Sequence, residues 1–347
     1  ASRRAASEEL AGLMAQSISV CLRTFGNIIT NVIFVSDGGS WRKKVDKPGV
    51  IADAVYKGTR SLESETDWGA VFESMNILRD GLKVMGMTVS NAPGVEGDDW
   101  CWWWSRKLNA AGENVILWTI DEDVKQLIRK DPETGCWTAW YEKRPGLVLP
   151  ESMSPSDPDT GDDLDFFVSM PDTMASPAKA LERYVKVSYC NPAGIVNKKI
   201  FVGDGGDNIL PVFTYEKNGK VFKATVKDLE KVIDMDSCGY GTDGWIGGLD
   251  DVYRSICESK KKILRSASSP TTIQDFIEHA MYNRKMVWLD GSQIPEDIQD
   301  VMSEVEYRRL RDDVMHDLRF NWRSMTSGQS PKDELASLLG PDEDLPF

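Results

Sequence analysis

Histidine is nearly absent from this chain. Its 347 residues include two histidines and six cysteines, and none of the cysteines forms a C-x-x-C pair. Zinc sites built on Cys and His are therefore not expected, and reduced thiols of an intracellular protein are. Long apolar runs are missing too. None approaches the ~18 residues that a membrane-spanning helix requires. No succession of basic, apolar and small residues opens the chain, so a cytoplasmic location and no membrane partner are expected. Positive charge is scarce: 41 Lys and Arg stand against 55 Asp and Glu, a formal net charge of −14. That balance speaks against general nucleic-acid binding, and leaves open a local basic strip beside confined acidic regions. The apolar share, 41%, suffices for a core, and the length suggests about two domains.

What is present concentrates between Pro93 and Ile128. One acidic cluster, Glu96, Asp98 and Asp99, opens a helical pattern that runs to about Ala111. A second, Asp121 and Asp123, follows the apolar run Val115–Ile120, which is short, β-branched and bounded by Gly112. This run reads as a buried strand. Sites in open α/β sheets form beyond the carboxyl ends of strands, where Asp121 and Asp123 fall. Carboxylates converging on one rim repel one another, and a divalent cation relieves them. Oxygen-only ligation favours magnesium, with manganese possible. The plainer alternative makes Asp98 and Asp99 first-turn acids of a helix, and Asp121 and Asp123 the cap of the next.

The succession PGVEGDD and ILWTIDEDVKQLI resembles the metal-binding core of the flap endonuclease (5′ nuclease) family, and the motif order is most similar to the ribonuclease H branch of T-even-type phages. Other stretches carry the same likeness. Asn31–Ser36 reads as a strand ending at Asp37, then come Trp41-Arg42-Lys43-Lys44 and Tyr56-Lys57-Gly58-Thr59-Arg60. Later, Asn197-Lys198-Lys199 precedes Gly203-Asp204-Gly205-Gly206-Asp207-Asn208, matching the family's G-D-x-x-D-N element. The resemblance implies a PIN-like α/β fold: a mixed, mainly parallel sheet flanked by helices, with a C-terminal helical domain. It implies that Asp37, Glu96, Asp98, Asp99, Asp121, Asp123, Asp204 and Asp207 hold two Mg2+ ions, some through water. It implies that Lys57 and Arg60 act at the scissile phosphate, and that Arg42, Lys43, Lys44, Tyr56, Lys57, Arg60, Lys198 and Lys199 contact nucleic acid. A solvated basic face and a Gly-Asp turn are the plain alternatives for these segments.

The expected organisation is a nuclease core over 1–150 with a mobile arch over 42–60, an acidic mobile insert over 151–177, completion of the site and a helical DNA-binding domain over 178–325, and an acidic tail over 326–347. The helix Glu8–Arg23 follows a frayed start. The stripe Trp68, Val71, Phe72, Met75, Leu78 and Leu82 on a helix over Thr66–Met85 is read as core, and so is packing of Trp102, Trp103 and Trp104. Cys136–Leu149 reads as a hairpin or edge strand, Ala178–Val187 as helical, and Met286–Asp290 as strand-like. Asp234–Gly244 resembles a calcium loop but has Trp245 where the last Glu is required.

The implied function is Mg-dependent removal of RNA primers and 5′ flaps, acting on DNA, RNA–DNA hybrid and forked substrates in a phage-infected cell. The acidic tail, ending Leu-Pro-Phe, suits a sliding clamp or single-strand-binding protein. One departure stands out: the family opens with an Asp-bearing strand ahead of the first helix, and these residues begin at the helix. A catalytically inactive DNA-binding or replisome scaffold that keeps the fold is the alternative, favoured by that departure and by the net charge.

Overall fold

The structure, a computed structural model, describes residues 3–25, 28–51, 55–58, 66–142, 146–154, 186–223, 249–250, 253–254 and 272–327. The expected insert over 151–177 from residue 155 on, the expected helix over 178–187 up to residue 185, the calcium-like loop, Arg60 and the tail from 328 lie outside the described residues.

Helix α1, Arg3–Phe25, begins earlier than its apolar period suggests. Side chains hold its first turns in place: Arg3 pairs with Asp67 at 3.2 Å, and the Ser7 hydroxyl donates to Glu73. Strand β1, Ile33–Val35, and strand β2, Thr88–Ser90, form a parallel pair. Helix α2, Trp68–Val84, connects them and is capped by the Asp67 carboxylate, which accepts from Ala70 N.

Helix α3, Gly97–Ala110, leads into β3, Val115–Trp118. A mixed sheet then runs β3-β5-β6-β7, with the short β4, Arg129–Lys130, on β5. Strand β5, Trp137–Glu142, is parallel to β3 and antiparallel to β6, Gly146–Pro150. The expected hairpin is there, with β5 inside the sheet. Strand β7, Val187–Cys190, is parallel to β6, so Val187 opens a strand where a helix was expected.

Helix α4, Ala193–Val202, precedes the hairpin β8, Thr214–Lys217, with β9, Lys220–Lys223. The remaining described elements are helical: α5, Ile273–Val287; α6, Glu296–Ser303; α7, Asp312–Phe320; and the turn α8, Ser324–Ser327. The architecture is thus α/β, a mixed sheet flanked by helices and followed by a helical segment. Met286 and Val287 end α5 instead of forming a strand; its Thr272–Asp275 capping box gives that helix a firm start.

The core stripe of α2 differs from the expected one. Trp68 and Phe72 are exposed, whereas Ala70, Ser74, Leu78, Gly81 and Leu82 are buried. Small residues allow close helix packing, and α1 supplies the matching small face of Ser7, Ala11 and Ala15. Trp100 and Trp104 are buried, and Trp102 and Trp103 pack against the same cluster with Val95, Ile294 and Met302, in keeping with the packing reading. No described helix is long and apolar enough to cross a membrane.

Gly81 is where the packing is closest. A Cβ there would lie 1.9 Å from the Met325 carbonyl oxygen, a backbone atom that cannot rotate away. Gly81→Ala should cost about 1–3 kcal/mol by overpacking, read from urea denaturation. Gly49→Ala, where a Cβ meets nothing within 4 Å, should leave stability nearly unchanged. Equal stability of both variants would contradict this packing.

Candidate functional site: an acidic cleft with buried counter-charges

Two loops leave the carboxyl ends of parallel strands β1 and β2 and lock together. Gly38 N donates to Val95 O, Gly94 N to Gly38 O, and Trp41 N to Gly94 O, all within 2.8–3.0 Å. Gly38 is required by contact: a Cβ would stand 1.8 Å from Ala92 O. The lock places the turn Trp41–Lys44 against the N-terminus of α3.

That N-terminus carries the first acidic cluster. Glu96 is its cap residue. Asp37 accepts from Gly97 N at 2.6 Å, so the Asp-tipped strand end meets the positive pole of α3. Asp99 is fully buried. Its carboxylate accepts from Trp41 Nε1 (3.0 Å), from both terminal nitrogens of Arg42 (3.1 and 2.9 Å) and from Glu96 N (3.3 Å).

Arg42 is only 2% exposed. Besides Asp99, it donates to Glu96 Oε2 at 2.7 Å and, through Nε, to the Met286 carbonyl at 3.0 Å. The last is an orphan carbonyl at the negative end of α5, a favourable place for a cation. Gln126 ties down the same segment: its Nε2 donates to Val287 O and its Oε1 accepts from Leu289 N.

The second cluster follows β3. Asp121 caps the turn Glu122–Leu127 by accepting from Asp123 N at 2.9 Å, and it is exposed. Asp123 pairs with Lys199 of α4, and Lys199 donates also to Asp204 at 2.6 Å. After α4, Gly203 turns at φ 74° and Asp204 and Ile209 exchange two backbone hydrogen bonds, closing the 204–209 loop. This loop clasps the Tyr56-Lys57 turn. Lys57 N donates to Asp207 O, Asn208 Nδ2 to Val55 O, and Tyr56 OH to Asp207 Oδ2. Lys57, itself at φ 56°, turns its amine onto Glu96.

A shallow cleft results, whose polar lining is Arg42, Tyr56, Glu96, Asp98, Asp123, Gln126, Asp204 and Asp207. The structure thus gathers Glu96, Asp98, Asp123, Asp204 and Asp207 of the expected carboxylates. Asp37 and Asp121 serve as caps beside the cleft. Asp99 departs from the expected metal set because four donors use its oxygens. Arg42 departs from the expected nucleic-acid set because it is buried beneath the acids. Lys43 and Lys44 are exposed; Lys198 is half-buried on α4, and Lys199 lies inside the acid cluster. Gln126 and the Met286 carbonyl were not foreseen. A glutamine between the buried Val124 and Leu127 was the available signal for the first; no signal marks a backbone carbonyl.

The electrostatics are strained. Burial pushes the Asp98 carboxyl up to about 8, with Asp121, Glu96 and Asp123 adding to the shift against Arg42. Burial also raises Asp123, and outweighs its bond to Lys199. For Glu96 burial acts upward, but Arg42 and Lys57 outweigh it and hold the carboxyl below its usual range. Asp204 is likewise lowered, with Lys199 overcoming burial. Among the described residues, no three His, Cys, Asp or Glu are grouped for a metal ion as they stand; the amines of Lys57 and Lys199 bridge the acids. The donor chemistry nevertheless fits a hard divalent cation: every candidate donor is a carboxylate, and burial, with the neighbouring acids, raises the Asp98 carboxyl.

No protein-family model matches the chain, and no curated protein matches it. Among solved structures, a T5 5′-exonuclease with bound divalent zinc ions is 14% identical, over 90% of this chain and 91% of that one, at a TM-score of 0.41. A bacteriophage T5 flap endonuclease in a pseudo-enzyme–product complex with DNA and metal ions is 14% identical, over 91% of each chain, at a TM-score of 0.42.

The raised Asp98 carboxyl has a pH consequence. Below its ordinary value of 3.8 both folded and unfolded chains hold the proton, and nothing is lost. As pH rises toward about 8 the unfolded chain ionises this group and the folded chain resists, so the metal-free protein loses stability over that window. Melting temperatures at about pH 5 and about pH 8 should show a fall in the wild type, a smaller fall in Asp98→Asn, and recovery of the wild type with Mg2+ by mass action. Identical pH profiles for the two proteins would refute the assignment.

Proposed function

We propose that the chain is a divalent-metal-dependent 5′ nuclease, which hydrolyses phosphodiester bonds near the 5′ ends of flaps or RNA primers. The observation that carries this reading is the convergence of Glu96, Asp98, Asp123, Asp204 and Asp207, from three separate stretches, on one cleft beside Lys57. The motifs PGVEGDD, DED and GDGGDN supply those residues in the order in which the 5′ nuclease family has them.

Glu96, Asp98, Asp123, Asp204 and Asp207 would hold the metal, with Asp37 and Asp121 at the margin acting through water. Bound Mg2+ supplies neutralisation of phosphate charge and a water of lowered pKa. The protein's own contribution is positioning. The Asp121 cap fixes the turn that carries Asp123. The 204–209 loop fixes Asp204 and Asp207 against Tyr56. Lys57, partly exposed beside Glu96, provides a cation for the non-bridging oxygens of a phosphate entering the cleft. Exposed Lys43 and Lys44 extend positive charge outward from an otherwise acidic protein, toward the backbone of the substrate. Lys198 and Lys199 of α4 are assigned the same role, with Lys199 moving off Asp123 and Asp204 when metal binds.

A second reading, a scaffold of the same fold that binds nucleic acid without cutting it, is favoured by one observation: Lys57 and Lys199 already neutralise Glu96, Asp123 and Asp204.

Cleavage of a 5′-labelled flap and of an RNA–DNA hybrid separates the two. The wild type should release short 5′ products with Mg2+ and none with EDTA. Asp121→Asn keeps the cap, because Asn caps as well as Asp, and should lower turnover by roughly 100-fold or more with an unchanged melting temperature. Lys57→Ala should lower kcat similarly. Absence of cleavage would refute the nuclease reading, and binding without cleavage would establish the scaffold; metal-independent rates would refute the metal dependence, and full activity of both variants the assigned site.

A further inference from the structure

Arg42 belongs to a run of three basic residues, and only it is buried. Its neighbours Lys43 and Lys44 face solvent. Nε, Nη1 and Nη2 each have an acceptor, on two elements: the end of α5, and the N-terminus of α3 at its cap residue and first turn. Four of the guanidinium's five N–H groups are thus engaged, and the side chain is almost fully buried. Its planar geometry suits the bidentate contact with Asp99.

The charges explain why two acids are needed. Arg42 and Asp99 cancel as a pair, and Asp99 is further satisfied by Trp41 and Glu96 N. Glu96 is then held by Arg42 without losing its own negative charge to it. Its Oε2 is fixed inward at 2.7 Å from Arg42, and its Oε1 is directed to Lys57, on the cleft side, while the Tyr56 hydroxyl lies 3.4 Å from both oxygens. Arg42 also joins the floor to the C-terminal helices through Met286.

We propose that Arg42 is a positioning residue for metal binding: clamped by Asp99 and the Met286 carbonyl, it fixes the orientation in which Glu96 presents one oxygen to a divalent cation, and it does not touch nucleic acid. This inference rests on the metal-dependent reading above.

The test compares the full chain as wild type, Arg42→Lys and Asp99→Asn. Mn2+ affinity is measured by calorimetric titration below the melting temperature, and kcat, KM and the salt dependence of KM are measured on a 5′ flap. Arg42→Lys keeps the charge but loses the fork. It should weaken Mn2+ binding by roughly 10–100-fold, the usual effect of removing a group that orients a ligand. Its kcat should fall, with KM and its salt slope unchanged. Asp99→Asn leaves Arg42 to neutralise Glu96, so Mn2+ affinity should fall again; this variant decides the matter if Arg42→Lys does not fold. Unchanged Mn2+ affinity in the folded variants would reduce Arg42 to a packing role and overturn the inference. A raised KM with a shallower salt slope would make it a nucleic-acid contact and also overturn it. A wild type that binds no Mn2+ would remove the metal-dependent reading and the inference together, whereas wild-type binding with an unaltered Arg42→Lys would remove this inference alone.

Discussion

A single buried arginine holds the acidic site together. Placing a charge where solvent cannot reach it is costly, and the cost is met only when every donor has a well-oriented, charged acceptor. Arg42 offsets much of it with two carboxylates, Glu96 and Asp99, and with the neutral Met286 carbonyl at the negative end of α5. Removing one partner of such a buried pair typically costs about 3–5 kcal/mol, because an uncompensated charge remains. The trio therefore fixes the N-terminus of α3, the loop after β1 and the end of α5 relative to one another. Each carries or supports part of the cleft.

Around this anchor the chain returns to one place from several directions. The strand ends of β1, β2 and β3 bring Asp37, Glu96 and Asp121 to neighbouring positions, as expected beyond the carboxyl ends of parallel strands. The 204–209 loop arrives from α4 and grips the Tyr56-Lys57 turn by backbone and side-chain bonds. Gln126 and Arg42 together secure residues 286–289 from α5. Two lysines, Lys57 and Lys199, sit between the acids. Carboxylates outnumber the two lysines that hold them.

Much of this was legible in the sequence, for identifiable reasons. The acidic pairs stand next to strong local signals: a short β-branched run before Asp121, and a helical period after Glu96. Strands β1 and β3, helix α3 and the hairpin after Cys136 followed from period and turn residues, whereas β2, β4, β7, β8 and β9 did not. The misreadings share a cause. Trp68 and Phe72 have the spacing of a core stripe, but close approach of α1 selects Ala70 and Ser74 instead, and the Met325 backbone selects Gly81; only tertiary packing reveals that choice. Met286-Val287-Trp288-Leu289 has the composition of a strand, yet the capping box at Thr272 and Asp275 starts a helix that runs to Val287. Arg42 resembles its lysine neighbours in sequence; its burial depends on Asp99 and Met286, 57 and 244 positions away. Long-range partners of this kind leave no local trace.

The central claim is that the cleft exchanges its lysine counter-charges for divalent cations. A crystal structure of the chain grown with Mn2+, with anomalous scattering used to locate the metal, tests it most directly. Manganese is expected among Glu96, Asp98, Asp123, Asp204 and Asp207, with the Lys199 amine withdrawn from Asp123 and Asp204 and with Arg42 still on Glu96 and Asp99. Lysines in place, and no anomalous peak in the cleft at millimolar Mn2+, would contradict it.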